Sequence, residues 1–256
     1  MKLIDSHAHM DNEAFDIDRD ELFEKIEKEM DFIVNIGYDL ESSKKSIEYA
    51  HKYGFVYATV GFHPDEIVGY STEAEKELEE LAKDPRVVAI GEIGLDYHWM
   101  THPKEKQQEI FRRQLELAKR VGKPVVIHSR EAMEDTLNIL NEYPEIKGIF
   151  HCYPGSAETA KTLLDRFYLG IGGVLTFKNA RKLVEVVKNV PMDRIILETD
   201  CPYMTPAPFR GKRNEPVYVK YVAEKIAEIK GIEFEEVAVK TNANTRKVYG
   251  ISEENK

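Results

Sequence analysis

Short apolar runs alternate with longer polar stretches of helical period along the whole chain. Eight runs rich in β-branched and aromatic residues are typical of buried strands, and they cover residues 3–6, 32–36, 55–60, 87–90, 125–127, 147–150, 167–171 and 194–197. A helix is predicted after each run, at about residues 18–30, 41–53, 71–83, 103–121, 131–142, 157–164, 180–188 and 216–230. A ninth helix is predicted at about residues 233–249.

This order of elements predicts the fold. Strands that alternate with helices imply a parallel sheet, because each return crossing needs a helix. Eight such units in 256 residues favour a closed (β/α)8 TIM barrel with an extra C-terminal helix. An open doubly wound sheet is the alternative that the pattern leaves open. We expect residues 1–256 to form one barrel domain, since no linker or low-complexity segment interrupts the rhythm.

The net charge of −10 limits what the protein can bind. Broad electrostatic binding of nucleic acid requires many Lys and Arg side chains, so an acidic chain argues against it. A small site for an anionic substrate remains compatible, because metal ions can dominate the local field. The start of the chain has no apolar signal region and no run has the length of a membrane span. We therefore expect a cytoplasmic protein, with a monomer as the default expectation.

Side chains of the types that bind metals follow the predicted strands at the carboxyl end of the barrel, where such enzymes hold their active sites. Alternate residues of a strand face one side, so His7 and His9 share a face. Glu92 continues the inward row of strand four, which is expected to break at Gly94. Each residue alone has an ordinary explanation, such as a hydrogen-bonded His or a paired Glu. Their coincidence on five strands predicts a metal site formed by His7, His9, Glu92, His128, His151 and Asp200.

Six ligands suit two divalent ions that share a bridging carboxylate. Glu92 lies between the two groups in barrel order and is the predicted bridge. One ion then takes the two histidines of strand one with Asp200, and the other takes His128 and His151. The imidazoles favour zinc, manganese, cobalt or nickel, whereas phosphodiester chemistry often uses magnesium.

Residues next to the predicted ligands are expected to support the metal site. Asp5 and Glu198 are predicted to lie one layer beneath the ions and to orient ligand imidazoles. Cys152 and Cys201 each follow a ligand by one position, so we expect both to point away from the metals into the core. Two cysteines are too few for a disulfide framework.

Seven motifs are spread over the chain: DSHAH at 5–9, GFHP at 61–64, GEIGLD at 91–96, HSR at 128–130, HCYPGS at 151–156, ETDCP at 198–202 and RGKRNEP at 210–216. In these motifs the chain resembles the TatD-like metal-dependent deoxyribonucleases, which belong to the amidohydrolase-like barrels. The resemblance implies metal binding by the six residues above and hydrolysis of nucleic-acid phosphodiesters, with 3′→5′ exonuclease action on single-stranded DNA as the favoured form. It also implies a substrate role for His63. Two departures, Asp65 in place of a second His and Pro154 in place of Ser, bear on substrate preference.

Catalytic and substrate roles follow from these assignments. Asp200 is the predicted general base, with Glu92 and His63 as further catalytic residues. Candidate phosphate-binding residues are Arg130, Arg210, Lys212 and Arg213, of which at least one arginine is expected to be structural. The alternative enzyme is an amidohydrolase or esterase acting on a carbonyl substrate such as D-aminoacyl-tRNA. A catalytically silent metal-binding protein is a second alternative.

Other polar and aromatic residues leave two interpretations open. The trio Tyr97, His98 and Trp99 follows strand four, where it could stack unpaired bases or simply pack within its loop. His51 and His102 lie in helical or loop surroundings and are expected to have no special role.

Overall fold

Parallel strands and helices alternate through residues 1–252, the part of the chain that the computed structural model describes. The eight strands form one sheet in chain order: β1 Leu3–Ala8, β2 Met30–Asn35, β3 Val56–Val60, β4 Val87–Asp96, β5 Val125–Arg130, β6 Gly148–Phe150, β7 Phe167–Ile171 and β8 Ile195–Leu197. The helices are α1 Arg19–Glu29, α2 Leu40–Lys52, α3 Thr72–Leu81, α4 Lys104–Val121, α5 Met133–Asn141, α6 Ala157–Leu163, α7 Arg181–Asn189, α8 Val219–Lys230 and α9 Phe234–Tyr249.

The barrel closes where the chain beyond β8 meets β1. Ala8 forms a parallel bridge with Cys201. The Asp200 backbone N–H donates to the His7 carbonyl at 2.9 Å, and the His9 N–H donates to the Cys201 carbonyl at 2.9 Å. This closure confirms the (β/α)8 barrel and excludes the open sheet. It also brings three predicted metal ligands to one point of the barrel mouth.

Apolar side chains that point into the barrel form a floor beneath that mouth. They include Ile4, Val34, Val126, Ile149 and Ile196, all buried. A second apolar layer lies between the strands and the surrounding helices. Helix α9 is the predicted extra helix, and the hydroxyl of its last residue, Tyr249, donates to the Ser6 carbonyl at 3.0 Å. Within residues 1–252, no helix has the length and apolar character needed to cross a membrane.

Strand β4 is longer than the sequence predicted. The expected break at Gly94 is wrong, because β4 continues and pairs Gly94 with His128 and Asp96 with Arg130 of β5. A Cβ atom at Gly94 would collide with the His128 carbonyl oxygen, and the residue has a φ of +145°. Glycine here permits close approach of two backbones rather than a turn. As a result, β4 carries both Glu92 and Asp96 to the carboxyl end of the barrel.

Candidate metal centre

Three predicted ligands meet where the barrel closes. The Nε2 atoms of His7 and His9 lie 3.2 Å apart, as expected for alternate residues on one strand face. Asp200 Oδ1 lies 3.4 Å from His9 Nε2 and 3.7 Å from His7 Nε2. Asp200 has a φ of +57°, a left-handed conformation that costs free energy outside glycine. The closing hydrogen bonds hold its carboxylate toward the two imidazoles.

Glu92 connects this group to the rest of the cluster. Its Oε2 lies 3.4 Å from His7 Nε2, and its Oε1 lies 2.9 Å from His128 Nδ1 and 3.7 Å from His151 Nε2. Burial alone would raise the pKa of this carboxyl, but the neighbouring His151 and His7 hold it well below its usual value. The two oxygens of one ionised carboxylate therefore face different histidines, which is the arrangement that a bridging ligand requires.

His128 lies between two carboxylates. Its second ring nitrogen, Nε2, lies 2.9 Å from Oδ2 of the buried Asp96. Burial lowers the pKa of His128, yet hydrogen bonds to Asp96 and Glu92 outweigh burial and raise it to about 9. Sequence reasoning missed Asp96, although it follows Glu92 by four positions on the same strand face. With one nitrogen on a metal, the other would be oriented by Asp96.

His151 has a similar arrangement. Its Nε2 lies 3.7 Å from Glu92 Oε1 and 3.9 Å from Asp200 Oδ1, while its Nδ1 lies 3.3 Å from Glu198 Oε2. Burial lowers its pKa, but the charges of Glu198 and Glu92 raise it to about 10. Glu198 thus lies where it can orient a ligand imidazole.

The prediction that Asp5 orients a ligand imidazole is wrong, because its carboxylate bonds to other groups. Its Oδ1 accepts the backbone N–H groups of His7, at 3.2 Å, and Thr199, at 2.9 Å. Its Oδ2 accepts the Thr199 hydroxyl. Asp5 therefore fixes the backbone on either side of the barrel closure rather than an imidazole ring.

His63 reaches the centre from the end of β3. Its Nε2 lies 4.0 Å from Glu92 Oε1, so it could complete a ligand set with Glu92 and His128. However, the Asp65 backbone N–H donates to His63 Nδ1 at 3.2 Å. In the neutral ring the proton is then on Nε2, which makes Nε2 a donor rather than a metal ligand. Burial and the nearby His128 lower the pKa of His63 to about 3, which keeps the ring neutral.

The two cysteines differ in orientation. Cys201 is fully buried in the core, as expected. The prediction that Cys152 points away from the metals is wrong, because its Sγ lies within 4.8 Å of ligand atoms of His151 and Asp200. The φ of +44° at Cys152 breaks the alternation on which the prediction depended.

The cationic candidates fall into two groups. Both guanidinium NH groups of Arg213 bond to Asp18, at 2.6 Å each, which is the structural role that the sequence left open for one arginine. Arg130, Arg210 and Lys212 make no side-chain hydrogen bond or ion pair with any other residue among 1–252. These three cations therefore remain free to meet an anionic substrate near the mouth.

In the aromatic trio after β4, two side chains are hydrogen-bonded to other described residues and the third is not. The Tyr97 hydroxyl donates to Asp135 at 2.8 Å, and His98 Nδ1 lies 2.7 Å from Glu131. The Trp99 side chain is 61% exposed; within residues 1–252 its ring has an edge contact with His98 and the Arg130 guanidinium above it.

The chemistry of this cluster fits divalent cations. The Nδ1 atoms of His7 and His9 are buried and lack a hydrogen-bond partner among the described residues. Imidazole nitrogens and carboxylate oxygens are ligands of zinc, manganese and related ions. So many ionisable groups excluded from water are costly unless cations balance the carboxylates. The residues present therefore suit bound metal.

Comparisons with known proteins agree with this geometry. Residues 4–250 match the family model described as TatD related DNase. The chain is 47% identical to the metal-dependent hydrolase YabD of Bacillus subtilis over 98% of this chain and 100% of that protein. It is 36% identical to the metal-dependent hydrolase YcfH of Escherichia coli, over 98% and 97% of the two chains. The crystal structure of YjjV, a TatD homologue from Escherichia coli, superposes with a TM-score of 0.91 at 28% identity, over 98% of each chain.

Proposed function

Because the chain belongs to the family of TatD-related DNases, we propose that it binds two divalent metal ions and removes nucleotides from the 3′ end of single-stranded DNA. The observation that carries the proposal is the position of Glu92. Its two oxygens lie between His7 on one side and His128 with His151 on the other. A carboxylate shared in this way is typical of two-metal phosphodiester hydrolysis.

The residues divide between the two ions around this bridge. The first ion would be held by His7, His9, Asp200 and Glu92, and the second by Glu92, His128 and His151. When bound, the ions polarise the phosphoryl oxygens and make water a stronger acid. Two divalent ions bring four positive charges and the carboxylates of Glu92 and Asp200 remove two. The positive charge that remains on the ions and their direct ligands favours an anionic group such as a phosphodiester.

Side chains of the mouth supply the rest of the chemistry. Asp200, 13% exposed and aimed into the cluster, accepts the proton of the attacking water. The neutral His63 points its Nε2–H at the same space and donates to the leaving oxygen or a phosphoryl oxygen. Arg130, with Arg210 and Lys212 from the loop after β8, meets the charge of the substrate.

End-labelled strands test the proposal. Single-stranded DNA and RNA carrying a 5′ or a 3′ label are incubated with protein loaded with Mg²⁺, Mn²⁺, Zn²⁺, Co²⁺ or Ni²⁺. We expect a ladder of 5′-labelled products and early release of the 3′ label. The same preparations are tested with a lactone, an amide and a D-aminoacyl ester. Faster turnover of a carbonyl substrate than of any phosphodiester would reject the nuclease proposal.

A further inference from the structure

Aromatic side chains at the surface are concentrated at the barrel mouth. In the described part of the chain, Trp99 and Tyr203 are the only Phe, Tyr or Trp residues that are exposed, by 61% and 53%. Trp99 lies in the loop between β4 and α4, and Tyr203 lies in the loop between β8 and α8. In a closed barrel of eight strands, β4 and β8 are diametrically opposite. The two exposed rings therefore come from opposite sides of the metal centre.

Each loop is hydrogen-bonded to a residue of the metal centre or to one in contact with it. The Trp99 backbone N–H donates to Asp96 Oδ1 at 3.0 Å, and the other oxygen of Asp96 holds His128. The Tyr203 backbone N–H donates to the Asp200 carbonyl at 2.8 Å, and the Tyr203 ring centre lies 6.3 Å from that of His9. The Trp99 backbone is thus fixed to the carboxylate that holds His128, the Tyr203 ring lies near His9, and both side chains are exposed to solvent.

Cationic side chains without an acidic partner among the described residues lie beside the Trp99 ring and in the loop that holds Tyr203. The Arg130 guanidinium carbon lies 5.3 Å from the centre of the Trp99 ring, and Arg130 has no acidic partner within the described residues. Arg210 and Lys212 follow Tyr203 in the same loop. Neither has an acidic partner within the described residues, and they lie over the rings of Phe177 and Phe209, at 4.1 and 5.8 Å. Cations interleaved with exposed aromatic rings match a polymer of phosphates and unpaired bases, since bases stack on rings and phosphates meet the cations.

We propose that Trp99 and Tyr203 are base-stacking residues that hold the unpaired bases on either side of the phosphate at the metal centre. The proposal rests on the proposed function, because it takes a nucleic-acid strand as substrate. Stacking requires the faces of the bases to be free, so these two residues select single strands over duplexes. It is tolerant of sequence, because every base has a face to stack. A strand that lacks bases lacks this contact.

The chain has a single tryptophan, so its fluorescence reports on Trp99 directly. Protein loaded with Mn²⁺ is mixed rapidly with a ten-residue oligothymidylate or with an abasic strand of equal length, and emission is read before turnover. We expect oligothymidylate to quench the emission, and the abasic strand to need at least tenfold higher concentration for the same effect. Equal quenching by both strands, or none by either, overturns the proposal for Trp99.

Variants extend the test to both rings. Trp99→Ala and Tyr203→Ala should each raise the apparent KM for oligothymidylate by roughly 5- to 100-fold, the range typical of one stacked base. Trp99→Tyr and Tyr203→Phe, which keep a ring, should restore most of the affinity. Val239→Ala removes a 53% exposed apolar side chain on α9, away from the mouth, and should change nothing. An unchanged KM in both alanine variants contradicts the proposal.

Hydrolysis of bis(p-nitrophenyl) phosphate separates this proposal from the nuclease proposal. If this small diester is hydrolysed while both strands quench alike, the metal centre is a phosphodiesterase and the stacking role is rejected. If oligothymidylate quenches selectively but no diester is cleaved, the stacking residues stand and the hydrolytic role is rejected.

Discussion

Asp96 Oδ2 lies 2.9 Å from Nε2 of His128, and the opposite nitrogen of the same ring faces Glu92 at 2.9 Å. The imidazole is therefore held between a candidate bridging ligand and a carboxylate that lies behind it. Carboxylates that bond to the far nitrogen of a ligand histidine fix its tautomer and raise its basicity.

Replacement of Asp96 tests this relationship. Asp96→Asn should weaken binding of the second metal ion by about 10- to 100-fold, because His128 loses its acceptor. Titration calorimetry with Mn²⁺ measures the effect. Asp135→Asn is the matched control, since Asp135 bonds Tyr97 and Gln108 of the same region but no histidine. Equal metal affinity in the two variants would remove the positioning role from Asp96.

The second prediction concerns Asp200 as the proton acceptor. Asp200→Asn keeps the shape of the side chain and the backbone hydrogen bonds that close the barrel, so the fold should persist. Loss of the proton acceptor should lower turnover by about 10²- to 10⁴-fold. Turnover of a labelled strand and the thermal unfolding curve are compared with those of Asp193→Asn, an acid outside the centre. Near-normal turnover would show that the proton goes elsewhere.

The fold and the members of the histidine–carboxylate cluster could be predicted from the sequence because both follow from strand geometry. Strand periodicity tells which face a side chain occupies, and parallel strands in a barrel bring their carboxyl ends together. All six predicted ligands accordingly lie in one cluster. The sequence does not predict the position of Asp96, because a glycine at position 94 indicates a strand break. In the structure, Gly94 instead allows the close approach of β4 to β5. Cys152 was misplaced because a positive φ reverses the side of the chain on which its thiol lies.

Contacts between distant parts of the chain were beyond sequence reasoning. Asp18 and Arg213 are 195 positions apart, and nothing in the sequence around either residue indicates that they bond. The tautomer of His63 likewise depends on a single backbone N–H, that of Asp65.

Arg213 should contribute to stability rather than to substrate binding. Its two-point contact with Asp18 is partly exposed, by 24% on the arginine and 34% on the aspartate, so we expect Arg213→Ala to lower the free energy of unfolding by about 0.5–1 kcal/mol. Within the described residues, Arg210 has no ion pair and makes only a cation–π contact with Phe177, at 4.1 Å, so Arg210→Ala should lower stability by less than Arg213→Ala and should raise KM for a strand. Urea unfolding measures the stability of both variants, and hydrolysis of a single-stranded substrate measures their KM. A larger KM effect from Arg213 than from Arg210 would reverse the assignment.

The salt dependence of strand binding reports the number of phosphate contacts. Three free cations, Arg130, Arg210 and Lys212, predict a slope of about −2 in a plot of log affinity against log salt, from about −0.7 per contact with a single strand. Binding of oligothymidylate at several NaCl concentrations measures it. A slope steeper than about −5 would reveal a further surface that follows the phosphate backbone.

Metal removal should change how stability depends on pH. Without metal, the raised pKa values of His128, about 9, and His151, about 10, mean that the folded protein binds protons more tightly than the unfolded chain, whose histidines titrate near 6.5. Their contribution is complete below pH 6.5 and disappears as pH rises through 9 to 10. Burial also raises the pKa of Asp5 to about 8, so it opposes folding increasingly from about pH 4 to 8.

Bound metal should reverse this trend, because ligand imidazoles give up their protons to it. The difference in Tm between metal-loaded and chelator-treated protein should therefore widen steadily from pH 6 to pH 9. Differential scanning calorimetry across that range measures it, with His51→Gln as the control, since His51 bonds Asp84 outside the centre. Calorimetric titration of metal at pH 7 in buffers of different ionisation enthalpy should also show proton release. A Tm difference that stays constant with pH would show that metal does not displace protons from His128 and His151.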